Sequence, residues 1–352
     1  MIISADSHFN EDKDFWSTIL NRSDARIPYV QDTDNGSFWR FGEYKRPLGL
    51  DNQAGFRAED LRSVSFYREH SHFDLKKRRQ ICEADGIDHE IMLPSGAMIY
   101  TCPDQRLRYE MFLAYNEFCS SNSDDFYTFI PMLPSKPSEA LKLLTEPVSH
   151  SITNSYLLPL YPSEDCLYSH PTYSPIFSVL NEKRATIVMH AGGLRCLPSV
   201  RSEYSAVGFK NSLIMYHGME TLADLYFSGS FLKYPNIKFV FSEIGTEWLD
   251  AFFNRLRYCY ERYRYIDQIK FGAIDEYLDR IYFTFQTDFP GRDSVFFSEC
   301  KHQLMFGSDF PHAEAKYPGA KNFYRDFNKN YGNLGEYFFM KNAADLYNIS
   351  LT

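Results

Sequence analysis

The chain has 352 residues, of which 44% are hydrophobic and 17% aromatic, and its formal net charge is −9 at pH 7. This length is sufficient for one large hydrophobic core or two smaller ones, and the acidic balance argues against nucleic acid as a partner. No apolar run approaches the roughly 18 to 20 residues that a membrane span needs, and the N-terminus lacks the pattern of a secretion signal. The seven cysteines are scattered and form no C-x-x-C pair, so we expect reduced thiols in a cytoplasmic protein.

Strands alternate with helices along the sequence. Strands are predicted over residues 2–5, 87–94, 126–131, 155–160, 185–190, 237–242, 281–285 and 303–306. Helices are predicted over residues 73–85, 105–122, 137–144, 176–181, 219–231, 248–264, 318–331 and 335–347, where apolar residues recur at helical spacing. Eightfold alternation is typical of a parallel (β/α)8 barrel, so we predict an α/β fold, with one TIM-type barrel domain over residues 1–352.

A long segment interrupts this pattern after the first strand. Residues 26–72 are polar, aromatic and rich in glycine, and no regular periodicity is visible in them. A loop of this length inside a compact domain usually has a functional role. We therefore predict an irregular insertion over residues 26–72 that serves as a lid over one end of the core.

Ligand-type side chains follow four of the eight predicted strands. Asp6 and His8 follow the first strand, two positions apart, so that both point the same way on an extended chain. His190 ends the fifth strand, Glu243 follows the sixth and Asp309 follows the eighth. Because the carboxyl ends of barrel strands surround the active site, we expect these side chains to lie together. Carboxylates and imidazoles bind divalent cations, so the set predicts a metal site.

Each of these residues also has a structural interpretation when it is taken alone. His190 is compatible with a core histidine, Glu243 with a helix N-cap and Asp309 with a turn residue. Taken together they favour a cation that lowers the pKa of bound water and polarises a substrate oxygen. Its predicted ligands are Asp6, His8, His190 and Asp309.

The predicted catalytic groups belong to the same set. Asp309 is the predicted general base, and Glu243 is predicted to bridge to a second metal ion or to shuttle a proton. His312, three residues past Asp309, is predicted to orient Asp309 or to bind substrate, with an ordinary loop histidine as the alternative. Nitrogen and oxygen ligands without thiolate suit zinc, manganese or iron equally, with one or two ions per chain.

The long segment after the fifth strand supplies two candidate substrate-binding residues. His217 could reach the site from a loop, although a structural role is the favoured interpretation of this residue taken alone. Arg195 (or Arg201) could pair with a carboxylate of the substrate.

A series of short motifs in chain order gives the sequence a family resemblance. They are Asp6-Ser7-His8 with Glu11 and Trp16 downstream, Glu83 to Asp88, Tyr115-Asn116, Pro171-x-Tyr173-x-Pro175, His190-Ala191-Gly192-Gly193, Ser228-Gly229, Tyr234-Pro235, Ser242-Glu243-x-Gly245-x-x-Trp248, Gly307 to His312 and Asn342-Ala343-Ala344. Through nearly its whole length the chain resembles the amidohydrolase-related proteins, often called amidohydrolase family 2, of the amidohydrolase superfamily.

This resemblance implies a distorted (β/α)8 barrel with a mononuclear or binuclear metal centre. It implies ligands from the first-strand pair, the strand-five histidine and the strand-eight aspartate. Three departures from the superfamily pattern stand out. Asp6 replaces the first histidine of His-x-His, the end of the fourth strand (158–161) offers no lysine for a carbamylated bridge, and Glu243 stands where many members place a histidine.

Three functions follow from these features. The first is a metal-dependent hydrolase of an ester, thioester or amide of a small organic molecule. The alternative is a metal-dependent non-oxidative decarboxylase of an aromatic or related carboxylic acid, which the many aromatic residues suit. The third is a protein that binds without turnover. The partner is a small-molecule substrate in each enzymatic case, and the aromatic content together with the resemblance suggests a homodimer or larger homo-oligomer.

Overall fold

The structure is a computed structural model, and it describes most of the chain. The described residues are 1–22, 26–33, 36–41, 44–47, 74–94, 98–145, 154–162, 166–193, 212–266, 271–289, 294, 300–312, 315 and 317–351. These residues form an α/β fold whose main sheets contain parallel strands. Contacts between Cα atoms group the chain into two compact units, one formed mainly by Met1–Pro134 and Phe306–Thr352, the other by Ser135–Glu146 and Asn154–Met305.

Outside residues 26–72 the described strands follow each other in the predicted order, and three further strands lie within that segment. The strands are β1 (Ile3–Phe9), β2 (Tyr29–Thr33), β3 (Gly36–Phe41), β4 (Tyr44–Pro47), β5 (His89–Pro94), β6 (Tyr127–Phe129), β7 (Ser155–Tyr161), β8 (Thr186–Gly193), β9 (Lys238–Ser242), β10 (Ile281–Phe285) and β11 (Leu304–Phe306). The α-helices are α1 (Phe15–Ile19), α2 (Leu75–Asp85), α3 (Met98–Thr101), α4 (Gln105–Asn122), α5 (Pro137–Thr145), α6 (Ser174–Glu182), α7 (Ile214–Phe227), α8 (Ser230–Lys233), α9 (Leu249–Tyr263), α10 (Ala320–Tyr331), α11 (Leu334–Glu336) and α12 (Asn342–Tyr347). Short 3-10 helices cover Pro171–Tyr173 and Ile274–Arg280, and a π-helical segment covers Tyr337–Lys341.

The first unit contains a parallel sheet in the order β1-β5-β6. Strand β1 is buried along its whole length, and its register with β5 runs from Ile3 opposite His89 to Phe9 opposite Pro94, with a bulge between Ser4 and Ser7. The sequence placed Asp6 and His8 after this strand, and that prediction is wrong in detail. Both lie inside the strand, because pairing with β5 continues to Phe9.

The first unit also contains a small antiparallel sheet in the order β2-β3-β4. It lies within residues 26–72, which were predicted to be irregular, so that prediction is wrong for the described part of the segment. Trp39 and Phe41 are buried here, and their burial gives these strands a hydrophobic face. The lid function of the segment stays a prediction.

The second unit contains a five-stranded sheet in the order β11-β10-β9-β8-β7. The ladders from β7 to β10 are parallel. In β8, His190 lies opposite Pro159 of β7 on one side and opposite Ser242 of β9 on the other. Closure of a barrel, and one domain over residues 1–352, stay predictions.

Two predicted helices have different limits in the structure. The helix predicted over 219–231 begins earlier, at Ile214, and ends at Phe227, because Gly229 takes a left-handed φ of 75° and separates α7 from α8. The helix predicted over 335–347 is divided by the π-helical segment Tyr337–Lys341. None of the helices in the described ranges has the length and apolarity of a membrane-crossing segment, and the described cysteines are free thiols.

Candidate active site

Four ligand-type side chains come together in the first unit. His8 Nε2 lies 3.4 Å from Asp6 Oδ1 and 3.2 Å from Asp309 Oδ1, and His312 Nδ1 lies 2.9 Å from the same Asp309 oxygen. The His8 and His312 rings stack with their centroids 3.9 Å apart. The side chains of Asp6, His8 and Asp309 are at most 1% exposed, whereas that of His312 is 14% exposed. Three of the four predicted ligands, Asp6, His8 and Asp309, therefore lie together, and His312 lies beside them.

Main-chain hydrogen bonds join the two segments that carry this group. The Asp309 N–H donates to Asp6 O, and the His8 N–H donates to Phe310 O, both at 2.8 Å. At Gly307 an added Cβ would come within 2.6 Å of Asp6 Cβ, so only glycine permits this approach. The residues after β11 thus continue beside β1 as a strand would.

Asp309 has a backbone conformation that few residues other than glycine adopt. Its φ is +54°, in the left-handed region, where aspartate and asparagine are tolerated better than most residues. Such conformations cost of order 1 kcal/mol or more and persist when the surroundings over-determine them. The strain is compatible with a functional role for the Asp309 carboxylate.

A cluster of three buried hydroxyls lies on the same two segments. Ser4 Oγ lies 2.9 Å from Ser308 Oγ and 2.8 Å from Ser7 Oγ, and it accepts the Ser308 N–H at 2.8 Å. None of the three serines is exposed. Because buried polar groups need partners, this network fixes Ser308, and with it the position of Asp309, relative to β1.

Charge and burial act in opposite directions on the pKa of His8. Burial by itself lowers the pKa of His8, but hydrogen bonds to Asp309 and Asp6 and their negative charges outweigh it and raise the pKa to about 10. Burial raises the pKa of Asp309, yet the neighbouring His312 and His8 bring it below its usual value. The group therefore concentrates negative charge that a bound cation would neutralise.

The donor set fits a divalent metal ion. His8, Asp309 and His312 offer ligand atoms that all lie within 4.8 Å of one another, and Asp6 and His8 meet the same limit. Two carboxylates and two imidazoles without a thiolate are the chemistry of zinc, manganese or iron sites.

A second acid–imidazole pair lies in the second unit. His190 Nε2 is 3.1 Å from Glu243 Oε2, and the two side chains are 11% and 18% exposed. Glu243 has a left-handed φ of +57°, and its N–H donates to Thr284 Oγ1 at 3.2 Å. Like Asp309, Glu243 is thus a strand-end carboxylate held in an unusual conformation.

His217 also lies in the second unit. It lies on α7, and its ring packs edge-on against Tyr161, with centroids 4.8 Å apart. The Tyr161 hydroxyl donates to Glu220. The next residue, Gly218, packs so closely that an added Cβ would be 2.3 Å from Ile244 Cδ1. The predicted loop position of His217 is therefore wrong, since the residue lies on a helix.

Asp288 is a strand-end carboxyl that sequence reasoning missed. It accepts the Gln286 N–H at 2.8 Å, and burial raises its pKa to about 6. The residue directly after the predicted strand over 281–285 is Gln286, which is not a ligand-type side chain. An acid two residues further on was the available signal.

Two further outcomes complete the comparison with the predicted site. Arg195 and Arg201 lie outside the described residues, so their substrate-binding role stays a prediction. Arg78, a fully buried cation, was not singled out, because the predicted helix that contains it is rich in lysine and arginine. Roles for all the predicted site residues in binding or catalysis stay predictions.

The fold and these strand-end groups define an α/β protein with a candidate metal centre. The sequence profile of the amidohydrolase family matches residues 102–349, and the chain belongs to that family. No curated protein gave a significant match.

Solved structures with the same fold cover most of the chain. The amidohydrolase map2389c from Mycobacterium avium subsp. paratuberculosis K-10 has a TM-score of 0.70 and 16% identity, over 98% of each chain. The 2,6-dihydroxybenzoate decarboxylase from Rhizobium has a TM-score of 0.62 and 17% identity, over 86% of this chain and 98% of that one. The 5-carboxyvanillate decarboxylase from Novosphingobium aromaticivorans DSM 12444, complexed with manganese and 4-hydroxy-3-methoxy-5-nitrobenzoic acid, has a TM-score of 0.62 and 16% identity, over 77% of this chain and 79% of that one.

Proposed function

We propose that this member of the amidohydrolase family is a metal-dependent, non-oxidative decarboxylase of a small aromatic carboxylic acid. The supporting observation is the group Asp6, His8, Asp309 and His312, of which the first three are buried, on a fold shared with two decarboxylases of hydroxylated aromatic acids. This order reverses the sequence-based preference, in which a hydrolase came first and a decarboxylase second. The fold relatives favour the second reaction at least as well.

The residues of the first unit would hold the ion. Asp6, His8 and Asp309 are the buried members of the group, and they are the proposed ligands. When bound, a divalent cation would supply positive charge to bind the carboxylate and a neighbouring oxygen of the substrate. His190 and Glu243, which lie in the second unit, stay predicted ligands.

His312 is the proposed proton donor. Its side chain is partly exposed, whereas the other three members of the group are buried, so it is the member that a substrate can touch. In the reaction the bond from the ring carbon to the carboxylate breaks, the electron pair stays on the ring carbon, and a proton from His312 completes the new C–H bond. Asp309, 2.9 Å from His312 Nδ1, would stabilise the protonated imidazole before the transfer.

Hydrolysis of an ester, thioester or amide is the second candidate function. The observation that favours it is the His190–Glu243 pair, because a carboxylate in contact with an imidazole can accept a proton from attacking water. A homodimer remains the expected assembly.

The test measures carbon dioxide release. Wild-type protein, stripped with chelator and reloaded with Mn²⁺, is incubated with a panel of hydroxybenzoic acids, and the product is identified by proton NMR. We expect carbon dioxide and the corresponding phenol, with His312→Gln strongly impaired and the exposed His170→Gln unchanged. Hydrolysis of an ester or amide panel without carbon dioxide release would favour the second candidate. No turnover of either panel with metal bound would favour a binding protein.

A further inference from the structure

Arg78 is a buried charge in the first unit, beside the candidate metal ligands. It is the fourth residue of α2, and its side chain is completely buried. Its Nε and Nη2 donate to the two carboxylate oxygens of Glu90 on β5 at 2.9 and 2.7 Å. The pair is therefore a bidentate ion pair with no access to water.

The guanidinium also bonds to the two segments that carry the ligands. Nη1 donates to the carbonyl oxygen of His8 at 2.7 Å, and Nη2 donates to that of Phe310 at 3.1 Å. The Phe310 oxygen also accepts the His8 N–H, and the guanidinium lies 4.9 Å from the centre of the Phe310 ring. One side chain thus holds β1 and the residue that follows Asp309.

Stability alone does not explain this arrangement. A buried ion pair is weak evidence for a role in stability, because replacing such a pair by well-packed apolar residues is often neutral or stabilising. The planar guanidinium differs from other side chains because its five N–H groups point in fixed directions. It can therefore hold one carboxylate and two carbonyl oxygens in a single plane, which a lysine ammonium cannot do.

We infer that Arg78 is a positioning residue, which sets the spacing between β1 and the segment after β11 and thereby brings the ligand atoms of His8 and Asp309 to the separation that a metal ion needs. This role rests on the metal site of the proposed function. It does not require Arg78 to touch the ion or the substrate. Through this one side chain, α2 controls the affinity of the site for the metal ion.

The test compares Arg78→Lys with Arg79→Lys. Arg79 is the next residue of the same helix and also pairs with carboxylates, Glu83 and Asp125, but its side chain is 38% exposed. Chelator-stripped proteins are checked for folding by circular dichroism and gel filtration. The dissociation constant for Mn²⁺ is then measured from the electron paramagnetic resonance signal of free Mn²⁺. Because only variants that pass the folding check are compared, weaker binding reports on the site and not on unfolded protein.

We expect Arg78→Lys to weaken Mn²⁺ binding by roughly 10- to 100-fold, as groups that orient metal ligands do, and Arg79→Lys to bind as the wild type does. The bound Mn²⁺ spectrum of Arg78→Lys should also broaden, because the ligands are less uniformly placed. A folded Arg78→Lys protein with wild-type affinity and spectrum would overturn the inference.

A milder variant covers the case in which Arg78→Lys does not fold. Glu90→Gln keeps the size of the partner but removes the charge that fixes the guanidinium, and several-fold weaker binding is expected. Wild-type affinity in a folded Glu90→Gln protein, or failure of both variants to fold, would make Arg78 a residue of the core and overturn the inference. If the wild type itself binds no Mn²⁺ or Zn²⁺, it is the proposed function that fails.

Discussion

Asp309 is a proposed metal ligand and also has an unusual left-handed backbone conformation. A substitution that keeps this conformation therefore tests its role as a ligand. Asparagine tolerates a left-handed φ as aspartate does, so Asp309→Asn should keep the fold while removing a negative ligand. We expect metal content per chain to fall at least roughly tenfold, measured by inductively coupled plasma mass spectrometry after purification without chelator. Asp326→Asn, at an exposed residue of the same unit that pairs with Lys329, is the control.

The same measurement tests the predicted role of Glu243. About one metal ion in both the wild type and Glu243→Ala would make Glu243 an acid that is not a ligand. A decrease from two ions to one would make it a bridging ligand and would return the hydrolase to first place. Metal retained in full by Asp309→Asn would contradict the proposed ligand set.

Asp288 gives a prediction about stability and pH. Burial raises the pKa of this carboxyl from 3.8 to about 6, so the folded protein holds the proton more tightly than the unfolded chain. The resulting stabilisation is present below about pH 4 and is lost as the pH rises to about 6, above which the buried charge costs ~3 kcal/mol. Asp288→Asn removes this penalty, so it should stabilise the protein at pH 8 and not at pH 4.

Urea unfolding at the two pH values measures this difference. The neighbouring Glu247 raises the pKa of Asp288 further, and Glu247→Gln should therefore show a smaller gain in the same direction. An equal effect of Asp288→Asn at pH 4 and pH 8 would show that hydrogen bonding, rather than charge, decides its contribution.

At the scale of the elements, α2 is the helix whose ends are most clearly defined by sequence. Asp74 accepts the N–H groups of Lys76 and Lys77 at its start, and Gly86 ends it with a left-handed φ of 91°. These caps fix the helix along its axis and hence the depth at which Arg78 enters the core. The signals lie within a few residues of each helix end, which is why its boundaries were predictable to within two residues.

Replacing the glycine that ends α2 should reveal how tightly this end is held. An alanine Cβ at Gly86 would be 2.9 Å from Lys321 Cβ, whereas at Gly229, with a φ of 75°, nothing lies within 4 Å. The left-handed conformation alone costs alanine roughly 1–2 kcal/mol. We therefore expect Gly229→Ala to lose about that free energy of unfolding and Gly86→Ala to lose more, both measured by urea denaturation. Equal losses would mean that Lys321 moves aside freely.

At the scale of the whole molecule, the order of the strands outside residues 26–72 was predictable, because most of those strands are short apolar runs that alternate with helices. The first-unit cluster was predictable for the same reason, since Asp6, His8 and Asp309 directly flank or occupy such runs. The pairing of strands into sheets was not predictable, because a strand's own residues do not determine which strands it pairs with. Asp288 and Arg78 were not predicted as important residues, because their importance comes from burial and from partners distant in sequence.

Metal binding should raise the stability of the whole folded protein, because binding and folding are linked equilibria. A ligand that binds only the folded state stabilises it by about 2.7 kcal/mol at a free concentration 100 times its dissociation constant. Calorimetry of stripped wild-type protein should therefore show a higher Tm on addition of Mn²⁺, and none of this shift in Asp309→Asn. Arg78→Lys should need more Mn²⁺ for the same shift, because its affinity is lower and not because its maximum stabilisation is smaller. A shift of equal size in Asp309→Asn would mean that Mn²⁺ stabilises the protein from other carboxylates, of which this acidic chain has many.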